Sequence, residues 1–321
     1  MATVSKEIAK GIFLHKRQMQ AQGNTEGYEF IYMFSVDVKS LQILDFSADF
    51  NGSENLVMEG SSSLISNKTI QPMSNETVAI LKLKRNWKLK SRFKFTMRNP
   101  PLDVQKKHLM PYFLELNKMI EASDKHLSNY PYDILSSEVF ENQLETLGIT
   151  FIDIDFPPID PSVFNDTNDT PFDVLVHWRK PQEFMTIDYH QGLLEPSIFY
   201  ESIEPNDIRQ GSLGNSWFLS ALATLAERPA LVERLFITKG VNSQGVYKIR
   251  LCKNGEWVTI TIDDFFPCYP EGGPLFSRGH GNELWILLLE KAYAKLHGNY
   301  FLLRGGYTNE ALIDLTGCPS I

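Results

Sequence analysis

The stretch Gln210-Gly211-Ser212-Leu213-Gly214-Asn215-Ser216-Trp217 decides the fold of the second half of this chain. Its glycine-rich turn runs into an amphipathic helix, which the apolar spacing predicts from about Leu213 to Glu227. A residue at such a junction faces the positive end of the helix macrodipole and backbone amides without a helical partner. A cysteine there would be favoured as a thiolate, and an upstream glutamine could donate its amide to an oxyanion. The layout suits acyl transfer, although Ser216 stands where that cysteine would be.

A plainer interpretation of the same turn is structural. Ser216 could be an ordinary helix N-cap, Gln210 a surface residue and Trp217 a core anchor. The wider sequence favours the functional interpretation, because the string from Asp207 to Ala223 resembles the active-site segment of the calpain family of papain-like cysteine proteases.

The resemblance continues in the order of that family's first protease subdomain and covers about residues 135–321, somewhat over half the chain. Its segments are Phe156-Pro157-Pro158, Trp178-Arg179-Lys180-Pro181, Glu256-Trp257-Val258, Ile262-Asp263-Asp264, Asn282-Glu283-Leu284-Trp285, Leu289-Glu290-Lys291-Ala292-Tyr293-Ala294-Lys295, Gly305-Gly306 and Leu315-Thr316-Gly317. It implies an α+β fold class, with a papain-like first protease subdomain in this part of the chain.

The resemblance also implies roles for the residues of the turn. Gln210 takes the oxyanion position and Ser216 the position of the nucleophilic cysteine, while Asn215 stands where the family usually has aspartate. A serine hydroxyl has a pKa far above that of a thiol, so the helix dipole and an imidazole cannot hold it as a ready anion. We therefore predict that the chain is not a working protease.

A second departure concerns the general base. Papain-like enzymes place the catalytic histidine and its orienting asparagine roughly 130–150 residues beyond the nucleophile, and 105 residues follow Ser216 here. His280 and His297 are the histidines in that part of the chain, and both are predicted to be structural or exposed. The expectation is an incomplete subdomain without the catalytic His and Asn.

Calcium binding is a separate expectation, because calcium needs oxygen ligands rather than a nucleophile. The resemblance implies one ion held by the carboxylates of Asp207 and Glu283, with backbone carbonyls at Tyr200 and Ser202. In the structural alternative, Asp207 caps a turn and Glu283 supports the N-terminus of its helix.

The first half of the chain follows other patterns. We predict a lone N-terminal helix in residues 1–27, a small antiparallel β-sheet or sandwich domain in residues 28–101, a helical connector in residues 102–147, and the calpain-like subdomain in residues 148–321. In Trp87–Met97 the apolar residues fall on odd positions and the bases on even ones, which indicates a strand with one basic face.

Composition narrows the class of protein further. The net charge of −8 argues against nucleic-acid binding, and Cys252, Cys268 and Cys318 are too dispersed for a disulfide framework or a zinc site. No apolar run is long enough to span a membrane and no secretory signal is apparent, so a cytoplasmic location is expected. Eight bases and no acid lie between Lys82 and Arg98, which indicates either solvated surface or a docking face for an acidic protein partner rather than a membrane.

These patterns together favour a non-catalytic, calpain-like component of an intracellular assembly, with a cytoskeletal or ciliary one as the specific expectation. Two alternatives remain open at this point. The chain could be a truncated or mutated calcium-dependent cysteine endopeptidase, or a calcium- or lipid-responsive binding module.

Overall fold

The computed structural model describes residues 2–9, 11–21, 27–127, 142, 144–146, 148, 150–164, 174–185 and 195–319. The chain divides into two compact units, Met1–His108 and Leu109–Ile321. The first unit is built almost entirely of strands, and the second mixes helices with short strands.

The first unit contains two antiparallel sheets. One has the strand order β1-β2-β3-β7-β5 and the other the order β6-β4-β8. The strands are β1 (Ala2–Ala9), β2 (Ile12–Gln20), β3 (Tyr28–Val38), β4 (Ile43–Asp49), β5 (Glu54–Met58), β6 (Ile65–Ile70), β7 (Ser74–Lys88) and β8 (Arg92–Arg98). Buried side chains of both sheets form one apolar core, as the predicted sandwich requires.

Alternating side chains explain this core. In β3, Tyr32, Phe34 and Val36 are buried while the residues between them are partly exposed. The ring of Phe93 in β8 packs against those of Phe34 and Phe46, so the two sheets meet through aromatic contacts. The predicted period of two is confirmed, except that the strand expected over Trp87–Met97 is divided between the end of β7 and β8.

The predicted N-terminal helix is wrong, because Ala2–Ala9 and Ile12–Gln20 form the antiparallel strands β1 and β2. Gly11 provides the reversal with a φ of 68°, a conformation that glycine adopts without strain. β2 then pairs with β3 from Ile12 opposite Val38 to Gln20 opposite Phe30. The weak helical spacing is overridden by this long ladder, which buries Ile12 and Leu14 in the sandwich core.

The connector begins with α1 (Leu102–Leu127), a helix where the spacing predicts one. The later helical positions Ile134 and Val139 lie outside the described residues, as does the polar loop expected over Asn165–Thr170. None of the helices in the described part of the chain combines the length and the apolar character needed to cross a membrane.

The second unit arranges its helices around short antiparallel pairs, β9 with β12 and β10 with β11. Its elements after α1 are β9 (His177–Arg179), α2 (Pro181–Met185), α3 (Ser216–Ala226), α4 (Pro229–Glu233), β10 (Tyr247–Lys253), β11 (Glu256–Ile262), β12 (Phe266–Cys268), α5 (Trp285–His297) and α6 (Thr308–Thr316). The predicted helices and strands of this half are thus present, with ends shifted by a few residues.

The helix α5 lies at the centre of this unit. Its first ten residues are all buried, so it is surrounded by protein rather than facing solvent on one side. Its Tyr293 ring stacks on Phe218 of α3 with the ring centroids 4.4 Å apart. This contact sets α3, and therefore Ser216 at its start, against the core.

Two lysine–aspartate pairs of α5 hold the segments around this helix. Lys291 donates to Asp263 and to the carbonyl of Phe265, and both charged side chains are fully buried. One turn later, Lys295 donates to both carboxylate oxygens of Asp153, at 2.9 and 2.8 Å. Because buried charges need compensating partners, these pairs link the extended segment at Asp153 and the end of β11 to one helix.

Candidate active site

Ser216 is the first residue of α3, and it is exposed. Its hydroxyl has no hydrogen-bond partner among the described residues, while its carbonyl accepts a hydrogen bond from the hydroxyl of Ser220 at 2.7 Å. Asn215 occupies the N-cap position instead, with no side-chain capping bond. The interpretation of Ser216 as an ordinary N-cap is therefore wrong, and its side chain lies where a helix-start nucleophile would.

The turn before α3 is fastened to a neighbouring segment by backbone hydrogen bonds. Arg209 and Arg278 exchange two of them, each 3.0 Å long, and the amide of Ser212 donates to the carbonyl of Leu275. A Cβ atom on Gly211 would overlap the carbonyl oxygen of Phe276, so only glycine allows this approach. Gln210 lies between these bonds with an exposed side chain, next to the serine turn as predicted.

The side chain of Asn215 points into the protein. Its Nδ2 donates to Glu290 Oε1 at 2.7 Å, and the other oxygen of Glu290 accepts the amide of Ser277 at 3.1 Å. Burial raises the pKa of the Glu290 carboxyl to about 7, against the opposing effect of these two hydrogen bonds. The Asn215 amide thus donates a hydrogen bond to the buried carboxyl group of Glu290. An ionised aspartate at position 215 could not do so, because it has no hydrogen to donate.

Trp217 anchors the other side of the helix start. Its indole nitrogen donates to the carbonyl of Leu303 at 2.8 Å. A Cβ atom on Gly306 would overlap the indole ring, which explains the need for glycine there. The structural interpretation had Trp217 as a core anchor, and its ring contact with Tyr293 is of that kind.

The two histidines that follow Ser216 have different surroundings. His297 donates from Nδ1 to the carbonyl of Tyr293 at 2.9 Å and accepts from Lys253 at Nε2, and burial lowers its pKa. His280 is exposed and lies two residues beyond Arg278, and the antiparallel bridge directs that chain toward Asp207 rather than toward Gln210. His297 is thus engaged within the fold, whereas His280 is exposed.

None of the three cysteines lies at the start of α3. All three cysteines are free, and Cys252 and Cys268 are buried while Cys318 is exposed after α6. Burial raises the pKa of the Cys268 thiol to about 12, which leaves it protonated at neutral pH.

The four residues expected to hold calcium lie in one region. Glu283 is buried, its Oε1 accepts the amide of Tyr200 at 3.2 Å, and its Oε2 has no hydrogen-bond partner among the described residues. Burial raises the pKa of this carboxyl to about 7, and the charge of Asp207 adds to the rise. Asp207 accepts the amide of Glu204 at 2.7 Å, so the turn-capping alternative is also satisfied. The hydroxyl of Ser202 donates to Glu204 rather than toward Glu283.

One feature beside the turn was missed by the sequence patterns. The hydroxyls of Tyr269 and Ser212 lie 2.7 Å apart, and Arg179 donates to the carbonyls of Tyr269, Pro270 and Gly272. Three carbonyl contacts thus hold the loop at residues 269–272 next to the serine turn. Arg179 belongs to the sequence motif Trp178-Arg179-Lys180-Pro181, but the loop that it contacts lies about ninety residues further along the chain.

The second unit is similar in sequence to known proteins. The family profile described as "Calpain family cysteine protease" matches residues 151–321. The "Calpain-type cysteine protease DEK1" of Arabidopsis thaliana is 43% identical over 170 residues, which are 52% of this chain and 8% of that protein. "Calpain-12" of Homo sapiens is 42% identical over 147 residues, which are 44% of this chain and 19% of that protein.

The α+β fold, the helix-start serine and the pinned glutamine turn define the second unit as a protease core of the papain-like class. This chain belongs to the calpain family of cysteine proteases, since more than half of its residues match the family profile. The matched part is a small share of each relative's length, 8% and 19%. Among solved structures, the yeast GGA1 GAE domain matches 31% of this chain and 99% of its own with 11% identity and a TM-score of 0.19, which is too low to inform the fold.

Proposed function

We propose that this protein is a non-catalytic member of the calpain family that acts as a structural or scaffolding component of an intracellular assembly. The observation that supports this is the exposed hydroxyl of Ser216 at the first position of α3, in a turn that keeps Gln210, Gly211 and Trp217 of the family pattern. The turn is still pinned at Gly211 and anchored at Trp217, so the loss concerns chemistry rather than folding.

The physical reason is the acidity of the nucleophile. A papain-like site works through a thiolate paired with an imidazolium, and a hydroxyl is not ionised by the same surroundings. Asn215 also gives Glu290 a neutral donor, so the core accommodates an asparagine where the family usually has aspartate. The competing proposal is a mutated or truncated form of a calcium-dependent cysteine endopeptidase.

An activity assay separates these two proposals. We expect the 321-residue chain to leave an unfolded protein substrate intact with or without calcium, because a serine in this turn is not activated. The Ser216→Cys variant should also remain inactive, since His297 uses both ring nitrogens for contacts with Tyr293 and Lys253, and His280 follows Arg278 on a backbone segment that runs toward Asp207. Release of peptides, followed by mass spectrometry, is the measurement; calcium-dependent cleavage by Ser216→Cys alone would contradict the non-catalytic proposal.

The first unit supplies a basic surface for such a scaffold. Three of its bases form ion pairs, Lys82 with Glu59, Lys88 with Glu54 and Arg98 with Asp45. Arg85, Arg92 and Lys94 are exposed without an acidic partner among the described residues. Charge complementarity therefore supports an acidic protein surface as the partner. The proposed setting is a cytoplasmic assembly, with a cytoskeletal or ciliary one as the specific proposal.

Charge reversal on β8 tests this partner. The double variant Arg92→Glu, Lys94→Glu should bind a labelled polyglutamate peptide at least tenfold more weakly at low salt, because it removes two unpaired bases from an edge strand. The matched control is Lys106→Glu, Lys107→Glu, which makes the same charge change on the exposed face of α1. Equal weakening by both double variants, measured by fluorescence anisotropy, would show that only net charge matters.

Calcium binding is a second proposed property, favoured by one observation. The buried Glu283 carboxyl has an oxygen without a hydrogen-bond partner among the described residues, and it lies close enough to Asp207 for their charges to interact. Two carboxylates with the carbonyls of Tyr200 and Ser202 would make an oxygen-only donor set of the kind that calcium takes. A bound divalent ion would relieve the repulsion between the two acids.

Thermal unfolding measures this property. Millimolar calcium should raise the midpoint temperature of unfolding of the chain without substitutions, because an ion that binds the folded state stabilises it. Glu283→Gln should abolish the rise, whereas Glu256→Gln on the exposed part of β11 should retain it. A midpoint that does not respond to calcium in the unperturbed chain, with no heat in a calorimetric titration, would remove calcium from the proposal.

A further inference from the structure

Two arginines face each other across the backbone bridge that fastens the serine turn. Arg209 and Arg278 are directly opposed in an antiparallel pair, and each donates its amide to the other's carbonyl at 3.0 Å. Directly opposed residues of such a pair project their side chains from the same face, with Cα atoms about 5.5 Å apart. The two arginine side chains therefore leave the backbone on the same face of the bridge.

Both side chains are exposed, and neither guanidinium has an ion-pair or hydrogen-bond partner among the residues that the structure describes. Two other arginines of the same unit are engaged. Arg179 donates to three loop carbonyls, and Arg234 donates to the carbonyl of Thr316 at 2.8 Å. The opposed pair is thus distinguished by having two adjacent sets of unused donors.

Opposed like charges destabilise an antiparallel pair. The backbone here is held by two hydrogen bonds and by the close approach at Gly211, so the arginines are not free to separate at their Cα atoms. A doubly charged anion would remove the repulsion and satisfy both planar groups at once. Guanidinium groups match the geometry of phosphate oxygens, and each can form two parallel hydrogen bonds.

We propose that Arg209 and Arg278 form a two-arginine clamp that binds the phosphate group of a phosphorylated serine or threonine segment in a partner protein. The clamp lies directly before Gln210 and is distinct from the candidate calcium ligands and from the basic strand of the first unit. Its function does not depend on whether Ser216 is catalytically active.

The surrounding charges favour a single phosphate on a peptide over a membrane. Glu201, Glu204 and Asp207 precede Arg209 closely in sequence, and the whole chain has a net charge of −8. A flat anionic lipid surface would bring many negative charges against these carboxylates, and the repulsion would oppose binding. One phosphate on an extended segment contacts only the arginine pair. Phosphorylation supplies a charge of about −1.5 to −2, which two guanidinium groups neutralise.

Binding is measured with the full 321-residue chain and a degenerate mixture of fluorescent phosphoserine peptides, against the same mixture without phosphate. At constant ionic strength the phosphorylated mixture should bind and the unphosphorylated one should not. Arg209→Gln and Arg278→Gln should each weaken binding about tenfold or more, equal to about 1.4 kcal/mol per tenfold step. Arg228→Gln, which removes an exposed arginine before α4, is the matched control and should leave the affinity unchanged.

A second measurement separates binding from folding. Without peptide, the two clamp variants should unfold at the same temperature as the unperturbed chain or higher, because a repulsion has been removed. Midpoints several degrees lower would show that the arginines are structural and would overturn the clamp. So would binding that ignores phosphate, or equal weakening by Arg228→Gln. Arginine-dependent binding to phosphatidylcholine vesicles containing a phosphoinositide, in preference to the peptides, would overturn the protein partner in favour of a lipid.

Discussion

Replacement of Lys291 by methionine is expected to destabilise the second unit by about 3–5 kcal/mol, the range for removing one partner of a buried ion pair. The Lys291 and Asp263 side chains are fully excluded from solvent. Loss of the ammonium would leave the carboxylate of Asp263 with two backbone donors, the amides of Asp153 and Phe265, and no opposite charge. The carbonyl of Phe265 would also lose its donor.

Urea denaturation followed by tryptophan fluorescence is a suitable measurement, because four of the five tryptophans lie in the second unit. Lys239→Met, at an exposed position, is the control and should change the free energy of unfolding by no more than about 0.5 kcal/mol. Adding Asp263→Asn to Lys291→Met should recover part of the loss, since the unpaired charge is then gone. A cost below about 1 kcal/mol for Lys291→Met would contradict the importance of this pair.

The second large effect is expected from Asn215→Asp. The new carboxylate would meet Glu290 where the Asn215 amide now donates at 2.7 Å, so two buried acceptors would face each other. At pH 8 we expect a loss of about 3 kcal/mol or more, as for an uncompensated buried charge. At pH 5 the loss should be much smaller, because one proton shared between the two carboxyls restores a donor.

Glu290 gives the direction of the pH dependence. Its pKa in the folded protein is raised to about 7 from an ordinary value of 4.5. The folded state therefore holds this proton more tightly than the unfolded state, and the resulting stability is fully present below pH 4.5 and lost as the pH rises through 7. Glu290→Gln should remove this contribution. The measurement is the free energy of unfolding as a function of pH, compared between the variant and the chain without substitutions from pH 4.5 to pH 8.

Paired variants make the Asn215 prediction specific. Combining Asn215→Asp with Glu290→Gln should restore most of the stability at pH 8, because the glutamine amide can donate to the new carboxylate. The control Asn254→Asp changes an exposed turn residue between β10 and β11 and should have little effect. If the combined variant is as unstable as Asn215→Asp alone, repulsion between the two acids is not the cause.

The second unit could be predicted well from sequence because its motifs are long and local. A glycine-rich turn followed by an apolar helix has few alternative structures, and α3 begins within a few residues of the predicted start. The N-terminal hairpin could not be predicted in the same way. Ile8, Ile12 and Met19 fit a helix loosely. These residues form strands because β1 pairs with β2 and β2 pairs with β3, and such pairing between strands is not encoded in local residue preferences.

The sequence by itself determined the family resemblance and the loss of the thiol at Ser216, because both depend on residue identity and order along the chain. Only the tertiary structure decided that Asn215 serves the buried Glu290, since those residues are 75 positions apart. The same holds for the opposed pair of Arg209 and Arg278, which a backbone bridge brings together. Pairings of this kind depend on how segments meet in space, and no local pattern of side chains records them.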